Sequence, residues 1–266
     1  MHTHIDFLSY QDSVPALLSG LQAEKCFQGQ SPIVIKPNLI NDSPPPITTP
    51  VQCCQAIVAF IRSCSDARII VAEGCGQPEL DTRTIFDRLG YTQLAQTENI
   101  DLLDLNTAEL VQVSNPTPRV FSQMYIPRIV MESYLVSVPV LKAHSLAGMT
   151  GSLKNMIGVA PPEYYSGRHG SWKKAAFHKY MQDTILDLVS CRAPDLSLLD
   201  ASVGMAEYHL GGPTCDPPVG RLVAGFDPWE VDREGAGLLG LDWRRIGHLQ
   251  TKTGYHTQGP QAKDLV

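Results

Sequence analysis

The stretch Leu135–Leu141, with the sequence LVSVPVL, is the part of the chain that decides the fold. A strand that is apolar at almost every position is buried on both faces, which is typical of a parallel sheet covered by helices. The same stretch ends abruptly in Lys142-Ala143-His144. Since residues two apart in a strand point to the same side, Lys142 and His144 are expected to face one space.

Strands and amphipathic helices alternate along the rest of the chain. Ile33–Ile35 and Ile69–Ala72 are predicted strands, and Val51–Cys64 is a predicted helix between them. Further predictions are helices over Thr84–Leu89, Trp172–Cys191, Glu230–Leu239 and Trp243–Leu249, and strands over Leu196–Leu199 and Leu222–Gly225. This alternation predicts a Rossmann-like, three-layer α/β fold with a mostly parallel sheet and helices on both faces. Short β-like signals predict a β-rich insertion around residues 101–127.

Composition restricts the class of protein. With 266 residues, of which 43% are hydrophobic, the chain can bury a large core, and we expect one α/β domain over residues 1–266. The net charge of −6 argues against binding to nucleic acid or to an anionic membrane surface. Neither a secretory signal nor a run of about 20 apolar residues is present, so a cytoplasmic location is expected. The sequence leaves the oligomeric state open.

The seven cysteines are irregularly spaced and include no C-x-x-C pair. This spacing argues against an iron–sulfur cluster and against a zinc ribbon, and it favours free thiols in a reducing compartment. Cys75 lies in a Gly-x-Gly turn after a predicted strand, where a nucleophile is plausible, although no partner base is evident.

Polar residues stand at the carboxyl ends of the predicted strands. In open α/β sheets, ligands bind outside these ends, so the side chains are expected to share one rim. The residues at these positions are Lys36, Glu73, Lys142 with His144, and Asp200, with Asp227 after a weaker strand. The alternative is that strands end in polar residues simply because they end at the surface.

The turn after His144 is the second candidate for a ligand site. Gly148–Lys154 resembles a phosphate loop only loosely, because Leu153 stands where that loop has a glycine. Thr150, Gly151 and Ser152 are nevertheless expected to begin a helix. The free backbone N–H groups of this helix start would bind an anion, and Lys154 would add positive charge.

Histidines and aspartates elsewhere allow further roles. His169, in the loop Gly167–Gly170, is expected to reach the site, whereas His178 is interpreted as a residue on the flank of a helix. A divalent metal held by His144, Asp200 and Asp227 is a further possibility, since hard cations prefer carboxylates.

Taken together, the motifs resemble those of domain-of-unknown-function family 362. The motifs are Lys36–Leu39, Thr48–Pro50, Glu73-Gly74, Pro139–His144, Ser152–Asn155, Gly211–Pro213 and Asp227–Asp232, and the resemblance spans about Ile33 to Gly254. It implies that Lys36, Asn38, Glu73, Lys142, His144, Lys154, Asn155, Asp200, Asp227 and Asp232 occupy signature positions. Many members of that family look like iron–sulfur proteins because a ferredoxin-like segment is appended to the domain. No such segment is recognised in this sequence, which argues against a cluster-based redox role. Pro50 stands where the family usually has a histidine.

Three functions are compatible with these observations. The favoured one is an enzyme acting on a carboxylate or phosphate, in which lysines bind the anion and His144 transfers a proton. Its predicted catalytic residues are His144, Lys142 and Glu73, and its predicted ligand-binding residues are Lys36, Asn38, Lys154, Asn155, Thr150 and His169. The alternatives are a redox or metal-handling protein, and a non-catalytic accessory protein that binds a small molecule. The sequence does not identify the cofactor.

Overall fold

The computed structural model of the chain describes residues 1–167 and 171–252. Its strands are β1 (His2–Asp6), β2 (Ile33–Pro37), β3 (Ile69–Glu73), β4 (Asp101–Asp104), β5 (Leu110–Ser114), β6 (Gln123–Pro127), β7 (Tyr134–Val138), β8 (Val140–His144), β9 (Gly148–Thr150), β10 (Leu196–Met205) and β11 (Arg221–Gly225). Its helices are α1 (Tyr10–Gly20), α2 (Glu24–Phe27), α3 (Val51–Cys64), α4 (Thr82–Arg88), α5 (Tyr91–Glu98), α6 (Arg128–Glu132), α7 (Ser152–Asn155), α8 (Pro162–Tyr165), α9 (Met181–Cys191), α10 (Pro228–Leu238) and α11 (Gly247–Gln250). None of these described helices has the length and apolarity needed to cross a membrane.

The main sheet is mostly parallel, as the sequence predicts. Its central strands lie in the order β4-β3-β2-β7-β10, with parallel pairing throughout, and β11 and β1 extend it in antiparallel fashion. After β2 the chain adds β3 and β4 on one side, and then it returns to place β7 on the other side. The strand order therefore reverses between β2 and β7, which is where α/β sheets form a ligand crevice.

Helices cover both faces of this sheet and make a three-layer structure. Alternate strand residues point to opposite faces, so Ile33 and Ile35 enter one core while Val34 enters the other. The first core includes apolar residues of α1, α3, α4 and α5, and the second includes those of α7, α9 and α10. Because both faces are buried, the central strands β2, β3 and β7 are buried at every position.

The apolar stretch that was expected to be one strand forms two. Pro139 separates β7 from β8, since proline has no N–H with which to continue the ladder. Its carbonyl accepts a hydrogen bond from the Asp200 N–H at 2.9 Å, and β8 then pairs with β10. Strand β9 folds back on β8, with Lys142 opposite Thr150. Lys142 and His144 thus belong to a strand beyond the end of β7.

Several other predicted elements are confirmed, with differences that have local causes. Helix α3 has the predicted bounds Val51–Cys64, but the helix predicted from Trp172 becomes α-helical only at Met181, after a 3₁₀ segment over Ala175–Tyr180. The β-rich insertion consists of β5 and β6, an antiparallel pair outside the main sheet, whereas β4 joins β3. Strand β1 was not predicted, because this edge strand alternates between exposed and half-buried residues and has no apolar run.

Candidate functional site

A pocket with a volume of about 240 Å³ lies at the carboxyl ends of β2 and β3, beside the reversal in strand order. Its polar and charged lining residues are Lys36, Asn38, Glu73, His144, Ser145, Lys154, Asn155, Lys174, His178, Tyr208 and His209. Its apolar lining residues are Ile40, Leu146, Ile157, Trp172, Phe177, Met181 and Leu210. Six of the residues selected from the sequence therefore meet in one cavity.

A buried ion pair between Lys36 and Glu73 forms the floor of this pocket. Lys36 Nζ donates to Glu73 Oε1 at 2.8 Å and to Oε2 at 3.0 Å, and both side chains are almost inaccessible to solvent. The same carboxylate accepts the N–H groups of Leu39 at 2.9 Å and Gly74 at 2.8 Å. Glu73 is thus fully hydrogen-bonded by its own chain, which fits a structural role better than the catalytic role expected from the sequence.

Asn155 ties this ion pair to the neighbouring strand. Its Oδ1 accepts from Lys36 Nζ at 3.2 Å, and its Nδ2 donates to the Lys36 carbonyl at 3.2 Å and to Ser137 Oγ at 3.0 Å. Gly158 closes over the pair so tightly that a Cβ there would lie 2.2 Å from Glu73 Oε1. Only glycine leaves room for the charged pair at this point.

Lys142 lies behind the pocket wall and does not line the cavity. Its Nζ donates to Asn38 Oδ1 at 2.7 Å and to the Ile47 carbonyl, so it holds the loop after β2 against β8. Burial, together with the nearby Lys154 ammonium, lowers the pKa of Lys142 to about 7. Its contacts fit a positioning role better than the catalytic role expected from the sequence.

His144 lines the pocket as a neutral imidazole. Its Nδ1 accepts the backbone N–H groups of Leu146 at 3.1 Å and Ala147 at 3.2 Å, so the proton of the neutral ring resides on Nε2. Burial and then the Lys154 charge lower the pKa of His144 far below its usual range. Its ring stacks on that of His209, with 3.8 Å between the ring centroids. His144 is therefore arranged as a hydrogen-bond donor through Nε2, whereas the sequence led us to expect a general acid or base.

Lys154 is the pocket lysine whose ammonium has no partner among the described residues. It lies on the short helix α7, partly exposed to the cavity. Burial, followed by the positive charge of Lys36, lowers the pKa of Lys154 to about 8. In turn, its charge contributes to the lowered pKa values of three pocket histidines, His144, His178 and His209. The Lys154 ammonium is therefore surrounded mainly by basic groups, and the pocket carboxylate, Glu73, is already paired with Lys36.

The sequence reasoning missed two basic residues of the pocket, Lys174 and His209. Lys174 Nζ donates to the Gly158 carbonyl at 2.6 Å, and burial lowers its pKa to about 7. His209 is buried, and its Nδ1 has no hydrogen-bond partner among the described residues. Burial lowers the pKa of His209 to about 4. The nearby Gly211–Pro213 motif was the available sequence signal for His209, whereas nothing distinguished Lys174 from a surface lysine.

The anion expected at the start of α7 is supplied by the protein itself. Asp232 Oδ1 accepts the Ser152 N–H at 2.6 Å, and Oδ2 accepts the Leu153 N–H at 2.9 Å. A Cβ at Gly151 would lie 2.4 Å from the same carboxylate, which leaves no space for an external anion. Thr150 is buried beside Lys142 and does not line the pocket. The prediction of an external anion at these amides is therefore corrected.

The two aspartates proposed as metal ligands lie apart from the pocket. Asp200 accepts a hydrogen bond from Tyr10 Oη at 2.8 Å, on the α1 side of the sheet. Asp227 caps α10 and contacts Lys252. It follows β11, which runs antiparallel to β10, so Asp227 lies near the amino ends of the parallel strands, away from the pocket. Within residues 1–167 and 171–252, no three His, Cys, Asp or Glu side chains are arranged to hold a metal ion.

Two candidates from the sequence remain, Cys75 and His169. Cys75 is buried and does not line the pocket. Its thiol donates to the Leu80 carbonyl at 3.2 Å and lies 3.2 Å from Lys173 Nζ. His169 lies outside the described residues.

The profile of one protein family, domain of unknown function DUF362, matches residues 33–237. This range covers most of the chain, including β2, β3, the whole of β7 to β10 and the pocket lysines. The chain therefore belongs to the DUF362 family, as its motifs suggest. No curated protein matches the chain.

Proposed function

We propose that this DUF362 protein is an enzyme that binds an anionic small molecule, a carboxylate or a phosphate, in the pocket around Lys154. The observation that carries the proposal is the Lys154 ammonium, which faces the cavity without a partner among the described residues. Every other lysine of the pocket is already hydrogen-bonded by the chain. An anionic ligand would supply the missing partner through a charge-assisted hydrogen bond.

The electrostatic balance of the pocket supports the same proposal. Three lysines line the described wall, against one carboxylate, Glu73, which is paired with Lys36. The three histidines have lowered pKa values and add neutral hydrogen-bonding groups. A low-dielectric cavity with uncompensated positive charge attracts anions more strongly than an exposed lysine does.

We infer a division of roles that differs from the one expected from the sequence. Lys154 and the Nε2–H of His144 would contact the anion, whereas Lys36, Glu73 and Lys142 would hold the wall in place. Lys154 and Lys174, with pKa values of about 8 and about 7, are the pocket groups able to gain and lose a proton near neutral pH. A non-catalytic binding protein would use the same pocket, and measurement of turnover on any bound compound separates the two functions. A cytoplasmic location and the lack of nucleic-acid binding stay predictions from the sequence.

Thermal unfolding in the presence of anions tests this proposal. Citrate, 2-oxoglutarate and inorganic phosphate are added at matched ionic strength to the native protein, to Lys154→Met and to Lys179→Met. The Lys179 variant removes the same charge from an exposed residue outside the pocket. We expect at least one anion to raise the Tm of the native protein and of Lys179→Met by several degrees, with most of the rise lost in Lys154→Met. Equal Tm rises in all three proteins, or none in any, would contradict the proposal.

A further inference from the structure

We propose that the anion of this pocket is an oxo acid, and that Lys154 Nζ forms a covalent iminium with its carbonyl carbon. The inference rests on the proposed function, because it takes the pocket around Lys154 as the anion site. It goes further by naming the reacting group of the ligand, a ketone or aldehyde carbonyl, and the atom of the protein that attacks it.

The contacts of the lysines single out Lys154 as the nucleophile. An amine attacks a carbonyl through its lone pair, so it must be free of a proton and of hydrogen-bond acceptors that hold the proton in place. Lys36 Nζ is held by Glu73, and Lys174 Nζ is held by the Gly158 carbonyl. Lys154 lines the cavity without any such partner in the described part of the chain.

The environment of Lys154 favours the free amine. A lysine loses its proton more readily when it is desolvated or lies near another cation. Both causes act here, since burial and the Lys36 charge lower the pKa of Lys154 to about 8. A substantial fraction of Lys154 is then the reactive amine in mildly alkaline solution, whereas an exposed lysine is almost entirely protonated.

Other pocket residues provide the remaining requirements of the reaction. His144 presents an Nε2–H donor, which would stabilise negative charge that develops on the carbonyl oxygen. His209, stacked on His144, has an Nδ1 without a partner among the described residues and offers a further neutral hydrogen-bonding group. Trp172 and Phe177 supply apolar surface that excludes water, which favours the dehydrated iminium over the hydrated carbonyl. The carboxylate of the oxo acid would balance the positive charge of the wall.

The covalent step balances without an oxidant or a reductant. Lys154 Nζ forms a bond to the carbonyl carbon, and one of the two amine hydrogens passes as a proton to the carbonyl oxygen to give a carbinolamine. The C–O bond then breaks, and the oxygen leaves as water after it receives a second proton. The nitrogen keeps one hydrogen and forms a double bond to carbon, so that amine, carbonyl compound and one proton give iminium and water.

Reductive trapping tests the inference. The native protein is incubated with pyruvate and sodium cyanoborohydride at about pH 8, near the pKa of Lys154, and the adduct is located by peptide mass spectrometry. We expect Lys154 to gain the mass of pyruvic acid minus one oxygen atom, and to do so at least about tenfold faster than the exposed Lys179 of the same molecule. A parallel reaction with 2-oxoglutarate tests a longer oxo acid. Lactate, which lacks the carbonyl, is expected to slow the trapping by competition.

Two variants make the outcome decisive. Lys154→Arg keeps the positive charge but cannot form an iminium, so it should still be stabilised by anions while trapping at position 154 disappears. Lys179→Met should be trapped at Lys154 like the native protein. If anions stabilise the native protein but Lys154 is trapped no faster than Lys179, the iminium inference is wrong and the proposed anion site stands. If neither stabilisation nor selective trapping occurs, the proposed function fails as well.

Discussion

Lys36 and Lys154 line the same pocket, but the protein treats their charges in opposite ways. Lys36 is wholly buried and bonded to Glu73, to Asn155 and to the Pro37 carbonyl. Lys154, two residues after Ser152 and one before Asn155 in α7, has no partner among the described residues. Lys36 therefore has a structural role in the pocket, whereas the Lys154 ammonium is left for an anion from outside the described chain to balance.

The difference shows how a structural charge can be separated from a binding charge. A buried ion pair that is fully hydrogen-bonded has no remaining capacity to hold a ligand. An unpartnered ammonium on a cavity wall destabilises the free protein and gains energy only when an anion arrives. The comparison therefore predicts opposite effects for substitutions of the two lysines.

The largest effect is expected for Lys36→Met. Removal of the ammonium leaves the Glu73 carboxylate buried without a counter-ion, so the free energy of unfolding should fall by about 3–5 kcal/mol. Urea denaturation measures this change, and Lys25→Met, at an exposed residue, serves as the control. The double variant Lys36→Met/Glu73→Gln removes both charges and should recover part of the loss. A loss below about 1 kcal/mol for Lys36→Met would show that the pair is not structural.

A second large effect is expected for Asp232→Ala, which tests the hydrogen bonds between the Asp232 carboxylate and the start of α7. The substitution leaves the buried N–H groups of Ser152 and Leu153 without acceptors, and the free energy of unfolding should fall by about 2–4 kcal/mol. Asp232→Asn keeps one acceptor oxygen and should lose less. If added phosphate restored the stability of Asp232→Ala, the start of α7 would be able to hold an external anion after all.

A smaller effect of opposite sign is expected for Lys154→Met. Because the ammonium has no partner in the described structure, its loss should leave the free energy of unfolding unchanged or raise it by up to about 1 kcal/mol. The same variant should bind anions at least about tenfold more weakly, as expected for loss of one charge-assisted hydrogen bond. Urea denaturation and calorimetric titration measure the two quantities. A loss of stability comparable to that of Lys36→Met would remove the distinction between the two lysines.

The smallest effect concerns the pH dependence of stability. Since folding lowers the pKa of Lys154 to about 8, the folded protein binds fewer protons than the unfolded chain between about pH 8 and the usual lysine pKa of about 10.4. The contribution of Lys154 to the free energy of unfolding should therefore increase with pH across this window. This increase should be absent in Lys154→Met. Other titratable groups near Lys154 are Lys36, Lys142, Lys174, Glu73, His144, His178, His209 and His248. The difference between native and variant curves isolates Lys154 from these groups, and identical slopes would contradict its lowered pKa.

Much of the fold and part of the site were predictable from local patterns. Runs of apolar residues identified the buried strands β2 and β3, and the residue that ends each run, Lys36 or Glu73, lies in the pocket as expected. The expectation that strand-end residues share the pocket failed for Asp227, because β11 runs antiparallel and its carboxyl end lies at the amino ends of the parallel strands. Strand direction depends on pairing between distant segments, and no local pattern records it.

What the sequence by itself determined is the central strands β2, β3 and β7, the burial of these strands, and the polar residues Lys36 and Glu73 at the ends of β2 and β3. These follow from side-chain periodicity, which acts over a few neighbouring residues. Only the tertiary structure decided which charges are balanced: Glu73 pairs with Lys36 across 37 positions, and Asp232 caps α7 across 80. Lys154 lies in the same motif as the amides that Asp232 caps, yet the fold places no counter-ion beside it in the described structure. A charge is satisfied or left open by atoms that are distant in the chain, so the binding role of a lysine emerges only when the chain has folded.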